Sequence, residues 1–202
     1  MIRDGLAMTL KVMCGCHARG LEHIIGDAPR LYFANHTSNL DAVVVWSSLP
    51  RGCRRRCRVL AAGDYWQRGP VRRLLAERAF RAILFDREHV TKQKNPVRAI
   101  CACLGAGESV IMFPEGTRGE GAELGPLRPG LWHIARRLTD VDLVPVWIEN
   151  LSRVLPKGEV LPVPMVVATT FGPPIRLFSD EGKAVFLDRA TTALRELRSV
   201  GP

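Results

Sequence analysis

Short apolar runs alternate with stretches of helical period along this chain. Leu31–Ala34, Val59–Ala62, Ala82–Phe85, Val110–Phe113, Leu143–Ile148 and Met165–Phe171 predict strands. Several are apolar on consecutive positions, as expected where both faces of a sheet are covered. Asp41–Leu49, Val71–Ala79, Val97–Leu104 and Gly130–Leu138 predict helices between them. Phe186, Ala190, Ala193, Leu194 and Leu197 share one face of a closing helix. The alternation predicts an α/β fold, with a central mostly parallel or mixed sheet flanked by helices. In residues 1–28, Ile2, Leu6, Leu10, Met13 and His17 fall on one helical side, with Arg3, Lys11 and Arg19 elsewhere. This predicts an N-terminal amphipathic helical segment, packed on the sheet or lying in a membrane interface. Residues 29–202 read as one domain without repeat or linker, and Gly119–Pro129, rich in glycine and acids, reads as an exposed loop.

Composition sharpens this picture in one respect. The 202 residues are 47% hydrophobic and 24% charged, which suits one domain with a sizeable core. The net charge of +9 is placed unevenly: ten arginines and only Asp64 and Glu77 lie between Arg51 and Arg81. A local field of this size predicts an anionic partner: phosphate, an acidic lipid surface, an acidic carrier protein or nucleic acid. The longest apolar run, Ala42–Leu49, falls well short of the roughly 20 residues that span a bilayer. With no secretory signature either, the chain is expected inside the cell. Six cysteines at Cys14, Cys16, Cys53, Cys57, Cys101 and Cys103 form no Cys-x-x-Cys pair, so free thiols are expected and no metal site.

Two constellations carry candidate chemistry. Asn35-His36-Thr37-Ser38-Asn39-Leu40-Asp41 joins a predicted strand to a predicted helix, the place where open α/β sheets build ligand sites. Across such a turn Asp41 can accept from one imidazole nitrogen and leave the other as a base. A satisfied loop histidine and a helix-start acid are the alternative. Phe113-Pro114-Glu115-Gly116-Thr117-Arg118 also follows a predicted strand. Its glycine lets backbone approach a ligand, and its arginine offers a forked donor to phosphate.

Together the Asn-His-x4-Asp and Phe-Pro-Glu-Gly-Thr-Arg blocks resemble the glycerolipid acyltransferase family, whose best-known members are 1-acylglycerol-3-phosphate acyltransferases. Ile83-Leu84-Phe85-Asp86-Arg87 and Val144-Pro145-Val146 resemble two further family blocks, in the same order. The resemblance covers roughly Leu31 to Ile175. It implies an acyltransferase domain over 29–202 and acyl transfer from acyl-CoA or acyl-carrier protein to the hydroxyl of a lysophospholipid, 1-acylglycerol-3-phosphate above all. His36 is then the base and Asp41 its orienting partner. Gly116 and Arg118, with Arg87, hold the acceptor's phosphate; Thr117 belongs to the same turn, and Glu115 braces the loop or contacts the acceptor. Arg128 is either a further cation for that acceptor or a solvated loop residue. Ser38 reads as a turn residue, because the chain has no Gly-x-Ser-x-Gly elbow.

No organic cofactor or metal is expected, since the donor already carries an activated acyl group. The partners expected are the lysophospholipid, the acyl donor and an anionic membrane surface met through Arg51–Arg81 at the cytoplasmic face. Nucleic acid is not among them. Another lysolipid acceptor, thioester hydrolysis by the same base, and a non-catalytic basic protein binding membrane or nucleic acid are the competing readings.

Overall fold

A computed structural model describes residues 4, 5, 8, 16–38, 40–66, 69–85, 95–117, 119, 123–150 and 167–198. In chain order its strands are β1 (His17–Arg19), β2 (Arg30–Ala34), β3 (Cys57–Ala62), β4 (Ile83–Phe85), β5 (Ser109–Met112), β6 (Asp142–Glu149) and β7 (Ala168–Phe171). They form one sheet in the order β1-β7-β6-β2-β5-β3-β4. β6, β2, β5, β3 and β4 run parallel, and β7 turns antiparallel to β6 and carries β1 parallel to itself. The sheet is therefore mixed, with a parallel centre.

Alternate strand residues feed two cores. Tyr32, Ala34, Val59, Ile111, Val144 and Val146 face α1 (Asp41–Ser48) and Phe80. Leu31, Phe33, Val110, Met112, Leu143 and Trp147 face α5 (Pro96–Gly105), α6 (Gly130–Arg137) and α7 (Lys183–Arg198). Each central strand is buried on both sides, which is why its apolar residues run consecutively. Every residue of α1 is buried, and Trp46 meets Phe80 edge to face at 5.1 Å. A helix apolar nearly all round belongs in such an enclosed layer.

Three segments depart from the sequence expectations. Asp4, Gly5 and Met8 are helical, but His17–Arg19 is strand β1, not the end of an amphipathic helix. It pairs with Ala168–Thr170, and Gly20 then turns the chain at φ +69°, where a Cβ would stand 1.9 Å from the Phe171 carbonyl oxygen. Arg51–Arg55, to which the sequence pattern assigns no element, forms α2. The helix expected over Val71–Ala79 is α4 (Pro70–Leu74) continuing as a π-turn through Leu75–Ala79, preceded by the short α3 (Gly63–Trp66).

The basic stretch is not one surface. Arg51–Arg56 precede Cys57 and so lie at the N-terminal edge of the parallel strands, whereas His36 follows the C-terminal end of β2. Arg54 is buried. It donates to the carbonyls of Ser47 and Leu49 at 3.5 and 3.0 Å, closing the end of α1, and to Asp4 at 2.9 Å. Asp4 also pairs with Arg51 at 3.0 Å and lies 3.8 Å from Arg55; the Arg54 hydrogen bond first, then these charges, hold its carboxyl below the usual aspartate range. The fold thus divides the Arg51–Arg81 stretch, with Arg51–Arg56 at the sheet edge opposite the one His36 occupies.

Arg54→Glu is expected to destabilise the protein by about 3–5 kcal/mol in urea titration, because it buries a carboxylate against two carbonyls. Arg51→Glu and Arg55→Glu, at exposed side chains, are expected to stay within about 1 kcal/mol. Equal losses at all three positions would contradict the capping role of Arg54.

Candidate active site

The site begins where β2 stops. The Asn35 side chain donates from Nδ2 to the Ile148 carbonyl at 3.0 Å and accepts at Oδ1 from the Ile148 N–H at 2.8 Å. This pair of bonds carries the β2–β6 ladder one step beyond Ala34↔Val146. It fixes the point at which the chain leaves the sheet.

His36, Thr37 and Ser38, which follow, gather around one carboxylate. Asp41, fully buried at the first position of α1, accepts at Oδ2 from the Thr37 and Ser38 N–H groups at 2.6 and 2.8 Å. The same oxygen is 2.7 Å from His36 Nδ1, and Oδ1 accepts from the Thr37 hydroxyl at 3.5 Å. Ser38 closes the turn: its Oγ accepts from the Leu40 N–H and its carbonyl from the Asp41 N–H. Burial pushes the Asp41 carboxyl above the ordinary aspartate value, while His36, Ser38 and Thr37 pull against that rise. An ionised carboxylate only accepts, so Nδ1 carries the proton toward Asp41 and Nε2 is the basic nitrogen.

Three further contacts hold the imidazole. The Phe113 ring stacks on it at 4.4 Å and 22° between planes. The His36 N–H donates to Glu115 Oε1 at 2.8 Å, and the His36 carbonyl accepts from the Gly119 N–H at 2.9 Å. Glu115 is buried, and its other oxygen accepts from the Gly125 N–H at 2.9 Å. Burial raises the Glu115 pKa above the usual value, the two N–H donors opposing it. Both carboxylate oxygens therefore brace backbone across three segments of chain.

Gly116 turns this loop at φ +75°. A Cβ there would lie 2.5 and 2.8 Å from Arg128 Nε and Cδ, so only glycine leaves room for that side chain. Arg128 Nε donates to the Glu115 carbonyl at 3.1 Å, and the Arg128 N–H to the Pro114 carbonyl at 2.8 Å. Thr117 is exposed. Arg87 and Arg118 lie outside the described residues, as does Asn39. The structure thus brings His36, Asp41, Glu115 and Gly116 together with Arg128, and adds Asn35, Phe113, Gly119 and Gly125. Asn35 and Phe113 stood inside the motifs, whereas Gly119 and Gly125 act only through backbone N–H groups that sequence does not mark. Chemically, the arrangement offers a firmly held imidazole base whose side chain is largely buried, 14% exposed, beside a glycine turn.

The sequence model of the family described as Acyltransferase matches residues 16–149. A 52-residue stretch is 40% identical to the chloroplastic 1-acyl-sn-glycerol-3-phosphate acyltransferase BAT2 of Brassica napus, covering 26% of this chain and 15% of that protein. The crystal structure of the 1-acyl-sn-glycerophosphate (LPA) acyltransferase PlsC from Thermotoga maritima shares the fold with a TM-score of 0.76 at 19% identity, over 98% of this chain and 78% of that one. With two thirds of its length under that family model, and with the imidazole and carboxylate of its first motif joined in one turn, this chain belongs to the acyltransferase family.

Proposed function

We propose that this protein moves a fatty acyl group from acyl-CoA or acyl-carrier protein to the free hydroxyl of a lysophospholipid, 1-acylglycerol-3-phosphate being the foremost acceptor and phosphatidic acid the product. The observation that carries this reading is the His36–Asp41 pair, 2.7 Å apart and braced by Glu115 at the C-terminal edge of the sheet. The names of the Brassica and Thermotoga relatives support the acceptor.

His36 Nε2 takes the proton of the acceptor hydroxyl as its oxygen attacks the thioester carbonyl carbon. Asp41 stabilises the imidazolium that forms. Collapse of the tetrahedral intermediate breaks the C–S bond, and the departing thiolate takes the proton back from His36. The reaction needs no acyl-enzyme. Gly116 lets the acceptor approach the turn, with Thr117 beside it, and Arg118 and Arg87 fill the phosphate-binding roles implied by the family motifs.

The acceptor and product are amphiphiles, so the protein works peripherally on an anionic membrane, at the cytoplasmic face where acyl thioesters are available. The part of the basic stretch suited to this is Gly63–Arg81, whose helices leave β3 at the same sheet edge as His36 and expose Arg73 and Leu74. No helix among the described residues is long and apolar enough to cross a membrane.

Mass spectrometry of products, with acyl-CoA and acyl-carrier protein each offered against several lysolipids, tests this proposal. Diacylated phospholipid, formed well above the rate of free fatty acid, is the expected result. Thioester consumption that yields only free fatty acid would instead identify a hydrolase.

A further inference from the structure

Several arginines are already engaged by carboxylates or carbonyls. Arg51, Arg54 and Arg55 meet Asp4, Arg58 and Arg81 meet Glu108, and Arg73 meets Glu77. Arg176 meets Asp142, and Arg189 meets Glu181. Arg30 is turned inward onto the carbonyls of Ile25, Gly26 and Ala28.

Arg128 differs from all of these. It is exposed at the site edge, and its side chain is fixed by one internal bond, from Nε to the Glu115 carbonyl. The nearest carboxylate in this network, that of Glu115, has both oxygens committed to the His36 and Gly125 N–H groups. Among the described residues no carboxylate pairs with Arg128. Its stem lies against Gly116, so the turn and the side chain hold each other. Glu115 then links the parts: its side chain grips the backbone of the base, and its carbonyl grips Arg128. Anchoring a guanidinium through Nε leaves the two terminal amino groups as a preoriented fork, which matches two oxygens of a phosphate.

We propose that Arg128 is the acceptor-reading residue of this site: its stem and Nε lock the Glu115–Gly116 turn, and its terminal amino groups take the anionic phosphate of the acceptor. The proposal rests on the acyltransferase reading above and adds the residue that separates phosphomonoester acceptors from uncharged ones. A lysine at this position keeps the charge but loses the fork and the anchor, so Arg128→Lys isolates geometry from charge.

The test compares wild type, Arg128→Lys and Arg128→Ala with 1-acylglycerol-3-phosphate and with monoacylglycerol as acceptors. The expected result is a KM for the phosphate acceptor raised about 10-fold in the lysine variant and about 100-fold in the alanine variant. The KM for monoacylglycerol should change by less than about threefold, and any fall in kcat from loosening the Glu115–Gly116 turn should be the same for both acceptors. Unchanged KM for the phosphate acceptor, or an equal rise in KM with both acceptors, would overturn the proposal and leave Arg128 a loop support. Should the alanine variant fail to fold, the lysine variant decides by the same criteria.

Calorimetric binding of a short-chain 1-acylglycerol-3-phosphate separates this proposal from the reaction it rests on. Arg128-dependent binding by a wild type that transfers no acyl group would sink the acyltransferase reading and keep the anion site. Transfer with the KM indifferent to Arg128 would do the reverse.

Discussion

Replacing His36 with alanine is expected to lower acyl transfer by about 100- to 10,000-fold while leaving the fold intact. The imidazole makes its side-chain contacts with Asp41 and Phe113, and its removal leaves the backbone bonds of residue 36 to Glu115 and Gly119 in place. Asp41→Asn is expected to cost about as much by a different route. The amide of asparagine cannot accept from His36 Nδ1, Thr37 N and Ser38 N together, so the imidazole loses the partner that sets its tautomer. Single-turnover transfer, read beside the thermal midpoint, checks both variants. His36→Ala that keeps near-normal transfer defeats the base mechanism outright. Loss of rate with an unchanged midpoint in His36→Ala, and with a lowered midpoint in Asp41→Asn, is the expected pattern, because only Asp41 also holds the turn.

How far the sequence revealed this depends on how each feature is made. Strands β2, β3, β5 and β6 were legible because burial on both faces writes consecutive apolar residues into the chain. Strand β1 was not, since His17-Ala18-Arg19 is three residues long, lies at the sheet edge and carries no apolar run. Its pairing is decided by β7, far away in sequence. Arg54 looked like surface charge and is a buried cap, because what a guanidinium can satisfy depends on carbonyls brought to it by the end of α1. His36 and Asp41 could be paired on sequence alone, since both lie within one turn. Glu115 left two roles open, and the choice between them depended on the N–H groups of His36 and Gly125, which only the folded chain sets beside it. Local chemistry was thus readable, and the long-range clamps were not.

Glu115 is where that difference has its largest measurable effect. Glu115→Ala removes the acceptor from two N–H groups at once and is expected to lower stability by about 2–4 kcal/mol in chemical denaturation. Glu115→Gln keeps one acceptor oxygen but turns an amide donor toward the other N–H, so the His36 turn loosens with less loss of stability. Transfer by the glutamine variant is expected to fall about 10- to 100-fold in kcat with the acceptor KM little changed, because a displaced base lowers the rate of attack and not the binding of phosphate. A residue that touched the acceptor would show the opposite split, with KM raised and kcat kept. The pH profile gives a second readout. Burial raises the Glu115 pKa, so in the wild type the carboxylate loses its charge, and with it one of its accepted bonds, at a higher pH than a solvated glutamate would. The rate should therefore fall as pH drops through that raised value, ahead of any loss from an ordinary carboxylate. In Glu115→Gln this ionisation is gone and the acid limb should become less steep. An acid limb identical in wild type and variant, together with an unchanged kcat, would mean that the clamp on His36 does not govern the reaction.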